Sequence, residues 1–156
     1  MKQAFLEAYR ALGQTGKNPN VGCVLVKNNL IIARARTSPG GRPHAEENLI
    51  SQLSKEKLKG SSLFVTLEPC AHKGKNGTSC ANLISDSGIK DVFISNYDPD
   101  SRTAGKGIEI LRKSKINVYT DFLVNEGTDL NKGYLANYLS NRPFVTIKLA
   151  ISLDGK

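Results

Sequence analysis

His44, Glu46, Cys70 and Cys80 limit the folds open to this chain more than any other feature. They lie in three separate stretches, and they matter chemically only if those stretches meet. Imidazole and thiolate are donors that zinc accepts into a tetrahedral shell, and three protein ligands leave the fourth position for water, as in catalytic sites. A closed structural site would need a fourth ligand. One histidine and two cysteines therefore predict a fold that converges on an open zinc site, with one Zn2+ per chain.

The stretches carrying these residues have readable local structure. Ala4, Phe5, Ala8, Ala11 and Leu12 fall on one side of a helix over residues 3 to 12, and a breaker-rich loop runs from Gly13 to Asn20. Val21 to Val26 and Leu30 to Arg36 are β-rich runs joined by Lys27-Asn28-Asn29, which predicts a hairpin. After the loop Ser38 to Pro43, the spacing of Ala45, Leu49, Ile50 and Leu53 opens a second helix at or beside His44. Leu63 to Leu67 reads as a buried strand that stops at Glu68-Pro69-Cys70, and Cys80 to Ser87 as a short helix closed by Gly88. Strand Val92 to Ser95, helix Gly107 to Lys113, strand Asn117 to Thr120 and a helix from Val124 to Leu139, interrupted by Gly127 and Gly133, complete the alternation. That order predicts a layered α/β domain around one mixed sheet, antiparallel at the hairpin and parallel through the crossovers.

Placed this way, Cys70 follows a strand end and Cys80 opens a helix, where the N-terminal dipole favours thiolates. Glu46 stands two residues past His44, so on a helix the two side chains diverge. One can coordinate while the other approaches the water beside the metal. A carboxylate there can take a proton, hand it to a ring nitrogen and then protonate departing ammonia.

His-x-Glu followed by Pro-Cys is the signature of the zinc nucleobase deaminases. The wider stretches Asn18-Pro19-Asn20-Val21-Gly22, Gly41-Arg42-Pro43-His44-Ala45-Glu46, Thr66-Leu67-Glu68-Pro69-Cys70-Ala71-His72 and Ala104-Gly105-Lys106-Gly107 resemble the deaminase domain of the riboflavin-biosynthesis deaminase/reductase proteins. The resemblance covers essentially the whole chain. It implies a three-layer cytidine deaminase-like fold, with a central mixed β-sheet flanked by helices. It also implies hydrolytic deamination of 2,5-diamino-6-ribosylamino-4(3H)-pyrimidinone 5′-phosphate, with Asn18, His72 and Lys75 contributing to the substrate pocket and self-association into a homo-oligomer. The chain departs from the family in two places. Cys70 and Cys80 are separated by nine residues where the family commonly has eight, and Thr37 stands where many relatives carry a histidine.

The same resemblance divides the chain into a deaminase domain over residues 1–142 and, over 143–156, the start of a truncated or absent reductase domain. Phe144 to Leu149 reads as its opening strand, after Asn141-Arg142-Pro143 ends the last helix. NADPH is then expected only if a complete reductase exists elsewhere, and no reduction is expected from this chain alone.

Lys and Arg outnumber Asp and Glu by 22 to 14, a net +8 that favours an anionic partner. The charge alone does not choose between a phosphorylated small molecule and a nucleic acid; the basic residues are scattered with no RNA-binding signature, and the resemblance implies a phosphorylated pyrimidine rather than nucleic acid. The opening residues do not read as a signal peptide and no run is long enough to cross a membrane, which points to the cytoplasm. Competing readings remain: His44 and Cys70 as buried core residues, Asn18 as a turn former, His72 and Lys75 as surface residues, and a purely structural zinc module. Cys23, among valines in a strand, reads as structural. Deaminases of free bases, nucleosides or tRNA share the same metal machinery.

Overall fold

The computed structural model describes residues 1–72, 77–140, 142–152 and 154–155. Strands β1 (Gly22–Lys27) and β2 (Leu30–Arg36) form the hairpin, turned by Asn28 and Asn29 at φ of 51° and 62°. Two successive left-handed residues make the turn whose twist matches paired strands, and asparagine tolerates that region better than most side chains. β1 also pairs antiparallel with β3 (Ser62–Leu67), and β3, β4 (Asp91–Asn96) and β5 (Asn117–Tyr119) run parallel. The five-stranded sheet has the order β2-β1-β3-β4-β5, the mixed sheet that the alternation of elements predicts.

Alternation along the strands builds the two faces. Cys23, Leu25, Leu63, Val65, Val92 and Ile94 face the main core. It is completed by α2 (Ala45–Ser51), α3 (Lys55–Leu58), α4 (Cys80–Ser87) and α5 (Lys106–Lys113) through Leu49, Leu58, Ile84 and Leu111. On the opposite face, Phe5 and Ala8 of α1 (Lys2–Tyr9) pack with Leu130 of α6 (Val124–Leu130). Helices on both faces of one sheet give three layers. α1 lies so close to the sheet that a Cβ on Gly22 would come within 2.1 Å of the Ala4 carbonyl oxygen.

Three local expectations are corrected. The first helix ends at Tyr9, because Ala11 and Leu12 donate to Ala8 and Tyr9 in tighter three-residue turns. That rotation carries Leu12 off the buried face, leaving it 54% exposed. The last helical stretch divides at Asn131 into α6 and α7 (Lys132–Leu139), not at either glycine. The buried Asn131 side chain accepts from the Asn20 N–H at 2.8 Å and donates to the Asn20 carbonyl at 3.2 Å, tying this break to the loop after α1. Gly127 serves a different need, since a Cβ there would fall 1.8 Å from Asn96 Oδ1.

The third correction concerns Phe144 to Leu149, which forms no strand. Val145, Ile147, Leu149 and Ile151 are each 62–76% exposed, and the segment joins no strand among the described residues, although Lys132 Nζ lies 5.1 Å from the Phe144 ring centroid. A strand needs a neighbour for its backbone groups, and this stretch reaches neither edge of the sheet. Among the described residues no helix is long and apolar enough to cross a membrane.

Candidate metal centre and its cleft

His44 is the N-cap of α2, and its N–H donates to the Glu47 carboxylate at 2.7 Å, which fixes where the helix starts. Arg42 pairs with the same carboxylate at 3.2 Å. Cys70 lies three residues beyond the end of β3, and Cys80 is the first residue of α4, capped by the Ser79 hydroxyl on the Asn82 N–H at 3.2 Å. The Ala81 N–H donates to the Cys70 carbonyl at 3.1 Å, so the turn after β3 is fastened to the start of α4.

These supports bring three ligand-type atoms together. His44 Nδ1 is 3.3 Å from Cys80 Sγ and 3.6 Å from Cys70 Sγ, and all three atoms lie within 4.8 Å of one another. A tetrahedron with Zn–S of 2.3 Å and Zn–N near 2.05 Å has a nitrogen–sulfur edge of about 3.6 Å. The donor set and its spacing therefore fit a zinc ion. Among the described residues it is the only such grouping of three His, Cys, Asp or Glu side chains.

Electrostatics suit a cation. The Cys70 thiol is held down at about 4 by the hydrogen bond from Cys80, against the cost of burial, with His44 and the Cys80 N–H at 3.4 Å adding to the effect. Cys80 is pushed up correspondingly, because it is the donor of that bond and is itself buried. The pair thus shares a proton that a bound cation would displace. Cys23, by contrast, is buried in the sheet and its thiol is raised by that burial, as fits an inert core residue.

Glu46 is 3% exposed on the first turn of α2. Burial pushes its carboxyl up to about 7, with the His44 charge opposing and Cys70 adding to the rise. It lines an inner chamber of about 30 Å³ with His44, Cys70, Asn18, Thr37 and Asp98, large enough for a water molecule. A carboxyl that titrates near neutrality can accept and return a proton in one cycle. The chamber continues into a cleft of about 200 Å³ bordered by Lys17, Arg42, His72, Asp100, Arg102 and Tyr134.

Of the residues expected to meet substrate, Asn18 reaches both spaces, while its side chain donates to the Thr15 carbonyl at 3.3 Å. It therefore closes its own turn and lines the pocket. His72 borders the cleft with Nδ1 3.3 Å from the Thr103 hydroxyl. Lys75 lies outside the described residues, as do 73, 74 and 76 of the nine residues between the cysteines. Thr37 is buried beside Glu46, its hydroxyl donating to the Val21 carbonyl at 3.4 Å.

Sequence reasoning missed Asp98 and Asp100. Asp98 accepts from the Tyr134 hydroxyl at 2.7 Å and the Asp100 N–H at 3.0 Å, and burial raises its carboxyl. Asp100 is held down to about 2 by Arg102, which forks onto both its oxygens. The available signal was positional: Asp98-Pro99-Asp100 follows the carboxyl end of β4, where ligands of open α/β sheets bind.

Residues 1–96 match the family described as the cytidine and deoxycytidylate deaminase zinc-binding region. The riboflavin biosynthesis protein RibD of Bacillus amyloliquefaciens is 44% identical over all 156 residues, and the chain spans 42% of its length. The diaminohydroxyphosphoribosylamino-pyrimidine deaminase of Buchnera aphidicola subsp. Acyrthosiphon pisum is 43% identical over 129 residues, which are 83% of this chain and 86% of that protein. The solved diaminohydroxyphosphoribosylaminopyrimidine deaminase/5-amino-6-(5-phosphoribosylamino)uracil reductase of Thermotoga maritima superposes with a TM-score of 0.91. It is 40% identical, and the match takes in 100% of this chain and 45% of that one.

Proposed function

Because the chain belongs to the cytidine and deoxycytidylate deaminase zinc-binding family, and within it to the riboflavin-biosynthesis deaminases, we propose that it hydrolyses the 2-amino group from 2,5-diamino-6-ribosylamino-4(3H)-pyrimidinone 5′-phosphate, releasing ammonia. The observation that carries this reading is the buried Glu46 carboxyl, poised at about 7 in the chamber that it shares with His44 and Cys70.

His44 Nδ1, Cys70 Sγ and Cys80 Sγ hold Zn2+, one per chain. When bound, zinc supplies a Lewis acid that makes a water nucleophilic near neutral pH. Glu46 takes one proton from that water as it adds to the ring carbon and delivers it to the adjacent ring nitrogen; it then takes the remaining proton of the added hydroxyl, leaving a carbonyl, and passes it to the amino group, which departs as ammonia. In the metal-free protein burial raises the carboxyl, with the neighbouring Cys70 thiolate adding to the rise, which strengthens it as the base for the first transfer. Asp98 and Asn18 border the same chamber and orient the ring by hydrogen bonds, His72 borders the cleft where the ribose phosphate would lie, and Lys75 is assigned to the phosphate by the family resemblance alone. Lys17 and Arg42 add positive charge along the cleft.

The chain spans about four-tenths of the length of the RibD relatives, so this proposal concerns the deaminase step alone. In the same reading residues 1–142 are the deaminase domain. Residues 143–156 are read as the start of a reductase domain because the match to the RibD relatives runs through all 156 residues. NADPH belongs to such a reductase. Self-association is part of the proposal and is read directly by sedimentation.

The test is ammonia release from the zinc-loaded protein offered the phosphorylated diaminopyrimidine, cytidine, dCMP and adenosine separately. Release from the first is expected; release from cytidine or dCMP alone would overturn the substrate assignment. Release from none by protein that holds zinc stoichiometrically would favour a structural metal.

A further inference from the structure

Glu68 is buried at 3% exposure two residues before Cys70, and among the described residues every hydrogen bond it accepts comes from the backbone. Its Oε1 takes the N–H groups of Gly107 at 3.0 Å and Ile108 at 3.3 Å, in the first turn of α5. Its Oε2 takes Gly105 N–H at 3.0 Å and Asp98 N–H at 3.3 Å. A carboxylate at this depth is costly unless its lone pairs are satisfied, and the start of a helix offers both free N–H groups and a favourable dipole. One side chain thus fastens three pieces: the turn bearing Cys70, the loop bearing Asp98 and the start of α5.

The backbone around it leaves little slack. A Cβ on Gly107 would fall 2.0 Å from the Pro69 carbonyl oxygen, so α5 presses directly on the residue preceding Cys70. On the far side of Cys70, the buried Thr103 hydroxyl accepts from the Ala71 N–H at 3.5 Å and lies 3.3 Å from His72 Nδ1. The residues on either side of Cys70 are thereby held by the segment from Thr103 to Ile108, which contains no ligand-type atom of its own.

We propose that Glu68 is a positioning residue for the metal centre: through its four backbone hydrogen bonds it sets where Cys70 Sγ stands relative to His44 and Cys80, and it places Asp98 at the wall of the chamber. It touches neither metal nor substrate. The inference rests on the proposed zinc site, and its consequence is separable from overall stability. Loss of outer supports of metal ligands typically costs 10–100-fold in metal affinity.

The experiment is the rate of zinc transfer from the protein to a chromogenic chelator at 25 °C, alongside the melting temperature of the zinc-stripped proteins. Glutamine at 68 offers one oxygen where the carboxylate offers two, and turns its NH2 toward two N–H donors. Glu68→Gln should release zinc at least 10-fold faster than wild type, with Glu68→Asp between the two because it keeps the charge at shorter reach. A control of similar burial on the opposite face of the sheet, Phe5→Ala, should lower the melting temperature while leaving the release rate within about two-fold. Wild-type release from Glu68→Gln, or equal acceleration in Phe5→Ala at matched melting temperature, would overturn the proposal. If Glu68→Gln does not fold, Glu68→Asp carries the same test, and a wild-type rate in it overturns the idea. Wild-type protein that binds no zinc would instead defeat the metal reading beneath it.

Discussion

Glu46 shows what the site demands of a single residue. Its carboxyl is raised from an ordinary 4.5 to about 7, chiefly by burial, so in the metal-free protein the folded chain keeps a proton that the unfolded chain has released between those values. Unfolding then releases a proton in that window, and stability falls as pH climbs from 4.5 to 7, with the full deficit persisting above. The rise corresponds to about 3 kcal/mol as an upper limit. Glu46→Gln removes the titrating group. Stripped of metal, it is predicted to gain little over wild type in urea melts at pH 5 and up to that amount at pH 8. A gap that does not change with pH would show that Glu46 is not held protonated by its burial. The three ligand residues make a second prediction at this scale. Cys80→Ser should lower zinc affinity at least 10-fold, measured by competition with a chelator, because a hydroxyl in place of the thiolate removes one of only three protein donors.

At the scale of elements, the close packing of α1 on β1 is the most exposed to a single change. Gly22→Ala would drive a methyl group to 2.1 Å from the Ala4 carbonyl and 2.4 Å from the Ala8 nitrogen. Overpacking of this kind typically costs about 1–3 kcal/mol. The variant should melt several degrees lower while still binding one zinc, because His44, Cys70 and Cys80 lie on other elements. Elements whose signal was local were legible from the sequence. The hairpin, the start of α2 at His44, and α4 from Cys80 to Gly88 all follow from periodicity, turn residues and caps. The division of α6 from α7 was not, because it depends on Asn131 reaching Asn20 across more than a hundred residues. Glycines 127 and 133 read as interruptions, yet both lie inside helices, and the space at Gly127 is taken by Asn96. Glu68 escaped notice for the same reason, since its partners at Asp98 and at 105–108 are set by tertiary packing.

Over the whole molecule, the ligand pattern and the alternation of strands and helices point to one architecture. The sheet delivers Cys70 from just past the end of β3, α2 and its N-cap deliver Glu46 and His44, and α4 delivers Cys80. Pattern alone placed these groups; their separation, the volume of the chamber and the part played by Asp98 needed coordinates. Residues 143–152 are exposed and join no strand, with Lys132 Nζ 5.1 Å from the centroid of the Phe144 ring. Ending the chain after Arg142 is predicted to shift the melting temperature by less than about 2 °C and to leave zinc content unchanged, since little apolar surface is lost from contact. A larger drop would mean that the segment belongs to the folded unit. The account as a whole stands on Glu46 moving protons beside a zinc held by His44, Cys70 and Cys80. Its most direct test is ammonia release from the phosphorylated diaminopyrimidine by Glu46→Gln and wild type at equal zinc content. A fall of about 10³-fold or more is predicted for the variant, and turnover within ten-fold of wild type would contradict the account.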